Sequence, residues 1–137
     1  HIWPTVPHGT VACRAGAMLA STDTVKARIV GKGGHAAMPH DAIDPIPVAA
    51  EVVLALQSEV SRRTPVTDPV VLSITCINAG TAHNVLPDAV ELLGTLRTLS
   101  PEGRARYRVR HEAALWRPGE EPRLAQHVLE GDPGLSI

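Results

Sequence analysis

The sequence contains 137 residues with a formal net charge of −1, and 44% of them are hydrophobic, with no Phe and a single Tyr. Such a length fits one domain or a piece of a larger protein, with a core built from Val, Ile, Leu and Ala. The nearly balanced charge argues against nucleic acid or an anionic membrane as the main partner. No apolar run reaches the roughly 20 residues that a membrane span requires.

The first part of the chain is rich in Pro, Gly and small residues. It has neither an initiating Met nor the layout of a signal peptide, which indicates mid-protein sequence. We expect residues 1–22 to form a connector with a short strand near Val11. Cys13 and Cys76 lack the spacing of a metal site, and we expect reduced thiols in a cytoplasmic protein, with a disulfide as the alternative.

The next segments carry clear periodicities. Apolar and polar residues alternate over 24–30, which predicts a half-buried strand. Asp44 precedes Pro45 in a pattern typical of a helix start. Apolar residues then recur at helical spacing as far as Arg63, so a helix is predicted from Pro45 to Arg63.

The second half repeats this alternation of strand and helix. Strands are predicted over 70–77 and 89–99. Ser100 is a suitable N-cap for a helix over 101–115, and a short helix is expected over 123–130. Strand, helix, strand, strand, helix is the order of an α+β two-layer sandwich, with an antiparallel sheet and two helices on one face.

A glycine-rich run, residues 31–34, leads from the first strand to His35. Glycine permits positive φ and close approach of the backbone to another surface, so this run predicts a flexible arm that presents the imidazole. An imidazole can donate a hydrogen bond, accept a proton or bind a metal near neutral pH. The alternative is a loop histidine that only bonds to backbone.

Other side chains that can bind a metal or a substrate stand in less distinctive sequence patterns. His40, Asp41 and Asp44 can ligate metals but lack the geometry of a metal motif, and Asp44 is better used as a helix cap. Asn84 lies in a loop where its amide can recognise a carbonyl or carboxylate, or can simply form a turn. Arg97 has the planar fork that suits a carboxylate, or it is a solvated strand residue.

Four motifs occur in a fixed order along the chain. They are Gly-Lys-Gly-Gly-His-Ala-Ala at 31–37, Asp-Pro-Ile at 44–46, Ala-Gly-Thr-Ala-His-Asn-Val-Leu-Pro-Asp at 79–88 and Gly-Thr-Leu-Arg-Thr-Leu at 94–99. In this order they resemble the peptidase M20 amidohydrolases. The nearest branch contains hippurate hydrolases, N-acyl-amino-acid amidohydrolases and indole-acetyl-amino-acid hydrolases.

The resemblance implies a domain organisation. Residues 23–116 are expected to form the ferredoxin-like lid, or dimerisation, domain of this family and to form a homodimer. Residues 1–22 would connect it to a missing catalytic domain, and residues 117–137 form an atypical tail. From about Tyr107 the likeness fades, and no final strand of the lid is predicted.

The resemblance also implies residue roles. His35 corresponds to the lid histidine that stabilises the oxyanion of the tetrahedral intermediate, often across the dimer. Asn84 matches a contact to the substrate near the scissile amide, and Arg97 matches a contact to the substrate carboxylate. His1 matches a metal ligand, although a chance terminal histidine is the alternative.

The activity implied is hydrolysis of the amide bond of N-acyl amino acids such as hippurate, assisted by a pair of zinc or manganese ions in the full-length parent. Most metal ligands would lie outside this sequence, so the isolated chain is predicted to be inactive and to bind no metal stably. The competing interpretation is a non-enzymatic ferredoxin-like module that dimerises or binds a small ligand. Burial of His35 would favour that interpretation, and exposure would favour delivery to an active site.

Overall fold

A computed structural model describes residues 2–110 and 127–131 of the chain. The elements in chain order are β1 (Asp23–Val30), β2 (Gly34–His35), a 3-10 helix (Pro39–Asp41), α1 (Pro45–Arg63), β3 (Val70–Ala79), β4 (Val85–Leu86), β5 (Ala89–Thr98), α2 (Pro101–Arg110) and β6 (His127–Gly131). β1, β3, β5 and β6 form an antiparallel sheet in the order β3-β5-β1-β6, and β2 pairs with β4 in a separate two-stranded ribbon.

β1 is a central strand of the sheet, and its sequence shows why. Its residues alternate strictly between buried and exposed, with Val25, Ala27 and Ile29 on the buried face. This is the period of a strand with one face against the core. The strand predicted over 24–30 is therefore confirmed.

Both helices pack on the same face of the sheet. Leu56 of α1 and Tyr107 of α2 meet Val25, Leu72 and Leu96 from three neighbouring strands in one buried cluster. Burial of such large apolar side chains is the main favourable term in folding. The predicted α+β two-layer sandwich, with an antiparallel sheet and two helices on one face, is confirmed.

The helix starts agree with the expected caps. The Asp44 carboxylate accepts a hydrogen bond from the backbone N–H of Ile46 at 3.0 Å. Ser100 Oγ accepts from the N–H of Gly103 at 2.8 Å and donates to Asp68 Oδ1 at 2.7 Å. Each cap satisfies an amide that has no partner inside its helix. The predicted extension of the second helix over 111–115 lies outside the described residues.

The sheet order is that of a ferredoxin-like fold. Taken in chain order, the four sheet strands lie side by side as fourth, first, third, second. The expectation of a tail without a lid strand is wrong, because β6 pairs antiparallel with β1, from Asp23 opposite Gly131 to Ala27 opposite His127. The helix predicted over 123–130 is wrong over 127–130 for the same reason: the open edge of β1 supplies hydrogen bonds that local sequence does not reveal. Residues 123–126 lie outside the described part.

The expected strand near Val11 is also wrong. Within residues 2–22 the structure has turns, bends and irregular backbone and no strand. Val11 is 95% exposed. A strand needs a neighbouring strand for its backbone hydrogen bonds, and this segment has none beside it in the described part.

No helix in the described part is both long and apolar enough to cross a membrane.

A buried ion pair joins β1 to α2. The carboxylate of Asp23 is fully buried, and Arg104 donates to it through Nε at 2.9 Å and through Nη2 at 2.7 Å. These hydrogen bonds with Asp23 raise the pKa of Arg104. The pair therefore fastens the start of α2 over the end of the sheet where β1 begins.

We expect Arg104→Ala to lower the free energy of unfolding by about 3 kcal/mol, since it leaves a buried carboxylate without its cation. Urea denaturation followed by circular dichroism measures this loss. The matched control is Arg62→Ala, which removes an exposed cation in the last turn of α1 and should change the free energy of unfolding by less than about 0.5 kcal/mol. Equal losses in the two variants would contradict the importance of the pair.

Candidate functional site

The two-stranded ribbon brings two of the predicted site residues together. In the pairing of β2 with β4, Gly34 lies opposite Leu86 and His35 lies opposite Val85. One residue further on, the N–H of Ala36 donates to the carbonyl oxygen of Asn84 at 3.0 Å. His35 and Asn84 are therefore neighbours across the ribbon, although 49 positions separate them in the sequence.

The glycine run is fastened along its length. The backbones of Lys32 and Ile43 exchange two hydrogen bonds of 2.9 Å. The N–H of Gly31 donates to the Asp88 carbonyl oxygen, and the N–H of Gly33 donates to Asp88 Oδ1, both at 2.8 Å. The prediction of a flexible arm is wrong, because each of these residues is tied to a neighbouring segment.

Close approach explains why glycine is needed here. None of the glycines in the run has positive φ; in the described part positive φ occurs only at Gly9, Gly16 and Gly80. A Cβ on Gly33 would lie 2.7 Å from the carbonyl oxygen of Leu86, and a Cβ on Gly34 would lie 2.9 Å from the Cβ of Ala42. Of the two properties of glycine considered from the sequence, close approach is the one that the fold uses.

The imidazole of His35 is exposed and has a defined hydrogen bond. Its Nδ1 accepts from the backbone N–H of Ala37 at 3.1 Å. In a neutral imidazole only one nitrogen carries the proton, and the other is the acceptor. Occupation of Nδ1 as an acceptor therefore assigns the proton to Nε2. The site presents a hydrogen-bond donor at the outer nitrogen of the ring.

An open depression of about 500 Å³ lies beside the ribbon. It is lined by the loop Gly80–His83, by Ile46 at the start of α1, and by Ala36 and Val85 next to His35 and Asn84. The loop turns at Gly80, whose φ is +61°. Sequence reasoning did not identify this depression, since its walls come from segments far apart in the chain, and the Ala-Gly-Thr turn was the only local signal.

Arg97 lies away from this group. It is exposed, it donates to the hydroxyl of Thr22, and it lies eight positions after Ala89 on β5. At roughly 3.3 Å per residue, the separation along the strand is about 26 Å. Because the ribbon lies near the Ala89 end, a single chain does not bring Arg97 together with His35 and Asn84.

The described residues do not fit a metal centre. Within residues 2–110 and 127–131, no three His, Cys, Asp or Glu side chains are close enough to hold a metal ion. His40 Nε2 lies 3.7 Å from Asp41 Oδ2, with both side chains exposed, and Asp44 is used as the helix cap. His1, the predicted metal ligand, lies outside the described residues.

Comparisons with known proteins agree with this architecture. A family model described as a peptidase dimerisation domain matches residues 20–117. An N-acyl-L-amino acid amidohydrolase from Geobacillus stearothermophilus is 50% identical over 98 residues, which are 72% of this chain and 26% of that protein. An N-acetylcysteine deacetylase from Bacillus subtilis is 44% identical over 104 residues, covering 76% of this chain and 27% of that protein.

A solved structure gives the same result in three dimensions. The crystal structure of a dinuclear metal-binding peptidase of the M20 family from Bacillus subtilis aligns with a TM-score of 0.57 and 34% identity. The alignment covers 80% of this chain and 25% of that one. The chain spans about a quarter of the length of the curated relatives that it matches.

The fold and the matching model define a peptidase dimerisation domain. The chain belongs to the peptidase M20 family, as its four motifs predicted. The relatives named above are an amidohydrolase and a deacetylase, the class of enzyme that the resemblance implied for the family. The match also reaches residue 117, beyond the point near Tyr107 where the likeness was expected to fade.

We expect Gly34→Ala to destabilise the domain by about 1–3 kcal/mol, the usual cost of forcing an extra methyl group into a packed site. The new Cβ would lie 2.9 Å from the Cβ of Ala42. Chemical denaturation measures this change in the free energy of unfolding.

The double variant Gly34→Ala/Ala42→Gly removes the opposing methyl group and should recover part of the lost stability. Ala42→Gly alone is the matched control. A double-mutant cycle with no coupling between the two positions would contradict the steric explanation.

Proposed function

We propose that this chain is the lid and dimerisation segment of a longer metal-dependent amidohydrolase, which cleaves the amide bond of N-acyl amino acids of the hippurate type. In this proposal the chain supplies His35 to the catalytic centre. The observation that supports it most directly is the exposed imidazole on a fastened ribbon, with Nδ1 held by the N–H of Ala37.

His35 would act as a hydrogen-bond donor to developing negative charge. Attack on an amide carbonyl places charge on its oxygen, and a preorganised donor at that position is worth about 3–4 kcal/mol in the transition state. The Nε2–H of His35 fits this role because the opposite nitrogen is already an acceptor. Rigidity of the ribbon matters, since a donor that must be ordered during the reaction contributes less.

Asn84 would contact the substrate next to this donor. Its side chain is exposed and adjoins His35 across the ribbon. A side-chain amide offers both a donor and an acceptor, which suits the N–H and carbonyl of the scissile amide. The depression beside the ribbon would lie next to the same part of the substrate.

Arg97 would bind the substrate carboxylate, but the geometry restricts how it can do so. An N-acyl amino acid is much shorter than the separation of about 26 Å between Arg97 and Ala89, the end of β5 next to the ribbon, estimated from the rise per strand residue. His35 and Arg97 can therefore contact one substrate molecule only if they come from different chains. This requirement supports a homodimer in which each lid reaches toward a partner.

The dimer interface that we propose is the free edge of β3 with the outer side of α1. β3 is an edge strand of the described sheet, and such an edge offers unpaired backbone groups to another chain. Ile77 at this edge is 58% exposed, and Leu54 on α1 is 71% exposed. Gln57 donates to the carbonyl oxygen of Leu72 at 3.2 Å and so links α1 to β3.

The metals and the cellular location complete the proposal. Since the described residues do not fit a metal centre, we place the zinc or manganese pair on segments of the parent enzyme beyond them, and we expect no stable metal binding by the isolated chain. We propose a cytoplasmic location. It is supported by Cys13 and Cys76, which are exposed and free of any disulfide.

In the full-length enzyme we expect His35→Ala to lower kcat about 100- to 1000-fold, with a smaller change in KM, because the lost donor acts mainly in the transition state. Steady-state hydrolysis of hippurate and related N-acyl amino acids measures this effect. His40→Ala removes an exposed histidine five positions later and is the matched control.

Unchanged kcat in the His35 variant would overturn the catalytic role and favour the non-enzymatic module. The isolated chain with added zinc or manganese provides a second control. It should show no turnover, and measurable hydrolysis by the pure chain would contradict the placement of the metals elsewhere.

We expect Leu54→Asp to weaken the dimer about tenfold or more, since a charge would have to be buried in the interface. Sedimentation equilibrium across a range of protein concentrations measures the dissociation constant. Val11→Asp is the matched control, because Val11 is 95% exposed and belongs to the connector, outside β3 and α1. A dimer unaffected by Leu54→Asp would place the interface elsewhere.

A further inference from the structure

We infer that Asp88 is a positioning residue for His35, and this inference rests on the catalytic role proposed for that histidine. Asp88 lies in the turn between β4 and β5, and it contacts the glycine run through two different oxygens. Its carbonyl oxygen accepts from the N–H of Gly31, and its carboxylate Oδ1 accepts from the N–H of Gly33, each at 2.8 Å. No sequence motif by itself suggests this role, because 55 positions separate Gly33 from Asp88.

The ribbon needs such support because it is very short. β2 and β4 contribute two residues each, and an isolated two-stranded pair of this length is not stable in water. One end of the ribbon is closed by the hydrogen bond from Ala36 to the Asn84 carbonyl oxygen. Asp88 closes the other end. The two closures together fix which residue of β2 faces which residue of β4.

That register determines what His35 can do. Because successive strand residues point to opposite faces, a slip of one position would turn the imidazole to the other side of the ribbon. Held in register, His35 stays opposite Val85 and beside Asn84. Loss of the Asp88 carboxylate would therefore act on the imidazole indirectly, through Gly33 and the backbone of β2.

Gly33 packs tightly against Asp88 and Leu86, and this packing brings the Asp88 carboxylate close to the backbone of Gly33. A Cβ at Gly33 would lie 2.9 Å from Asp88 Oδ1 and 2.7 Å from the carbonyl oxygen of Leu86. The absence of a side chain at this position lets the carboxylate reach the backbone N–H. Hydrogen bonds to an ionised carboxylate are roughly twice as strong as neutral ones.

The test is nuclear magnetic resonance of the full 137-residue chain, comparing wild type with Asp88→Ala and Asp88→Asn. The alanine variant removes the side-chain acceptor but keeps the backbone carbonyl, whereas asparagine keeps an oxygen that can accept from Gly33. Glu51→Ala, which removes an exposed carboxylate on α1, is the matched control. The His35→Gln spectrum identifies the imidazole signals of His35.

In wild type and in the control we expect the nitrogen signals of His35 to show the Nε2–H tautomer. In Asp88→Ala we expect averaging of the two tautomers and about tenfold faster hydrogen exchange at the Ala36 amide, the effect of losing one charge-assisted hydrogen bond. Exchange at the Leu56 amide in the core helix should stay at the wild-type rate. Asp88→Asn should restore both signatures in part, because its amide oxygen can accept from Gly33 without the added strength of the charge.

Wild-type tautomer and Ala36 exchange in Asp88→Ala would overturn the inference. So would an equal rise in exchange at Ala36 and Leu56, which would show a general loss of stability, or a failure of asparagine to restore the signals. None of these readings depends on catalysis. If His35→Ala leaves kcat of the full-length enzyme unchanged, the proposed function fails while the positioning of the ring by Asp88 can still be observed.

Discussion

The antiparallel pairing of β2 with β4 is the contact on which the candidate site depends. It places His35 beside Asn84 and lines one side of the depression through Val85. Two paired residues cannot hold themselves together in water, so the ribbon relies on the sheet from which it projects. β1 leads into the glycine run and β5 leads out of the Asp88 turn, and these two strands are paired over eight positions. The sheet thus acts as the rigid base for a small functional extension.

The two ends of this β1–β5 pair serve different purposes. At the end where β1 begins, Asp23 is buried against Arg104, and the contact supports the packing of α2. At the other end the backbone leaves the core and forms the ribbon. Only the Asp23 carboxylate of this pair is fully buried, and breaking such a pair is costly because the buried charge loses its partner. The separation of the two ends means that changes near Arg104 should alter unfolding without directly disturbing the geometry around His35.

Local sequence patterns were sufficient to predict the elements that are defined by residues close together in the chain. The alternation in β1 and the caps at Asp44 and Ser100 each predict a hydrogen-bonding or burial pattern within a few residues, and the structure has them. β6 and the connector were misjudged, because whether an extended segment becomes a strand depends on whether a distant edge is available to it. The order of the four motifs predicted the family. The motifs lie in different kinds of local structure, and it is their combination in one chain that is characteristic of the family.

The candidate site was predicted in part. His35 and Asn84 were both selected from the sequence, and the ribbon brings them together. The glycine run was wrongly predicted to be flexible, because a glycine looks the same in the sequence whether it allows motion or allows close contact with another segment. Only the partner atoms distinguish the two cases, and at Gly33 and Gly34 those partners lie more than five positions away. Arg97 was predicted to act with His35 and Asn84 because of its chemistry, but its position along β5 places it far from both.

The double attachment of the glycine run has a consequence for protein engineering. Transplanting the histidine and its preceding glycines into another scaffold would carry over the imidazole but not the atoms that hold its backbone. Three strips of chain, 31–37, 42–43 and 84–88, would have to be transferred as one unit, with the space opposite Gly34 kept equally small. The portable module is therefore the histidine strip together with both of the segments that hold its backbone.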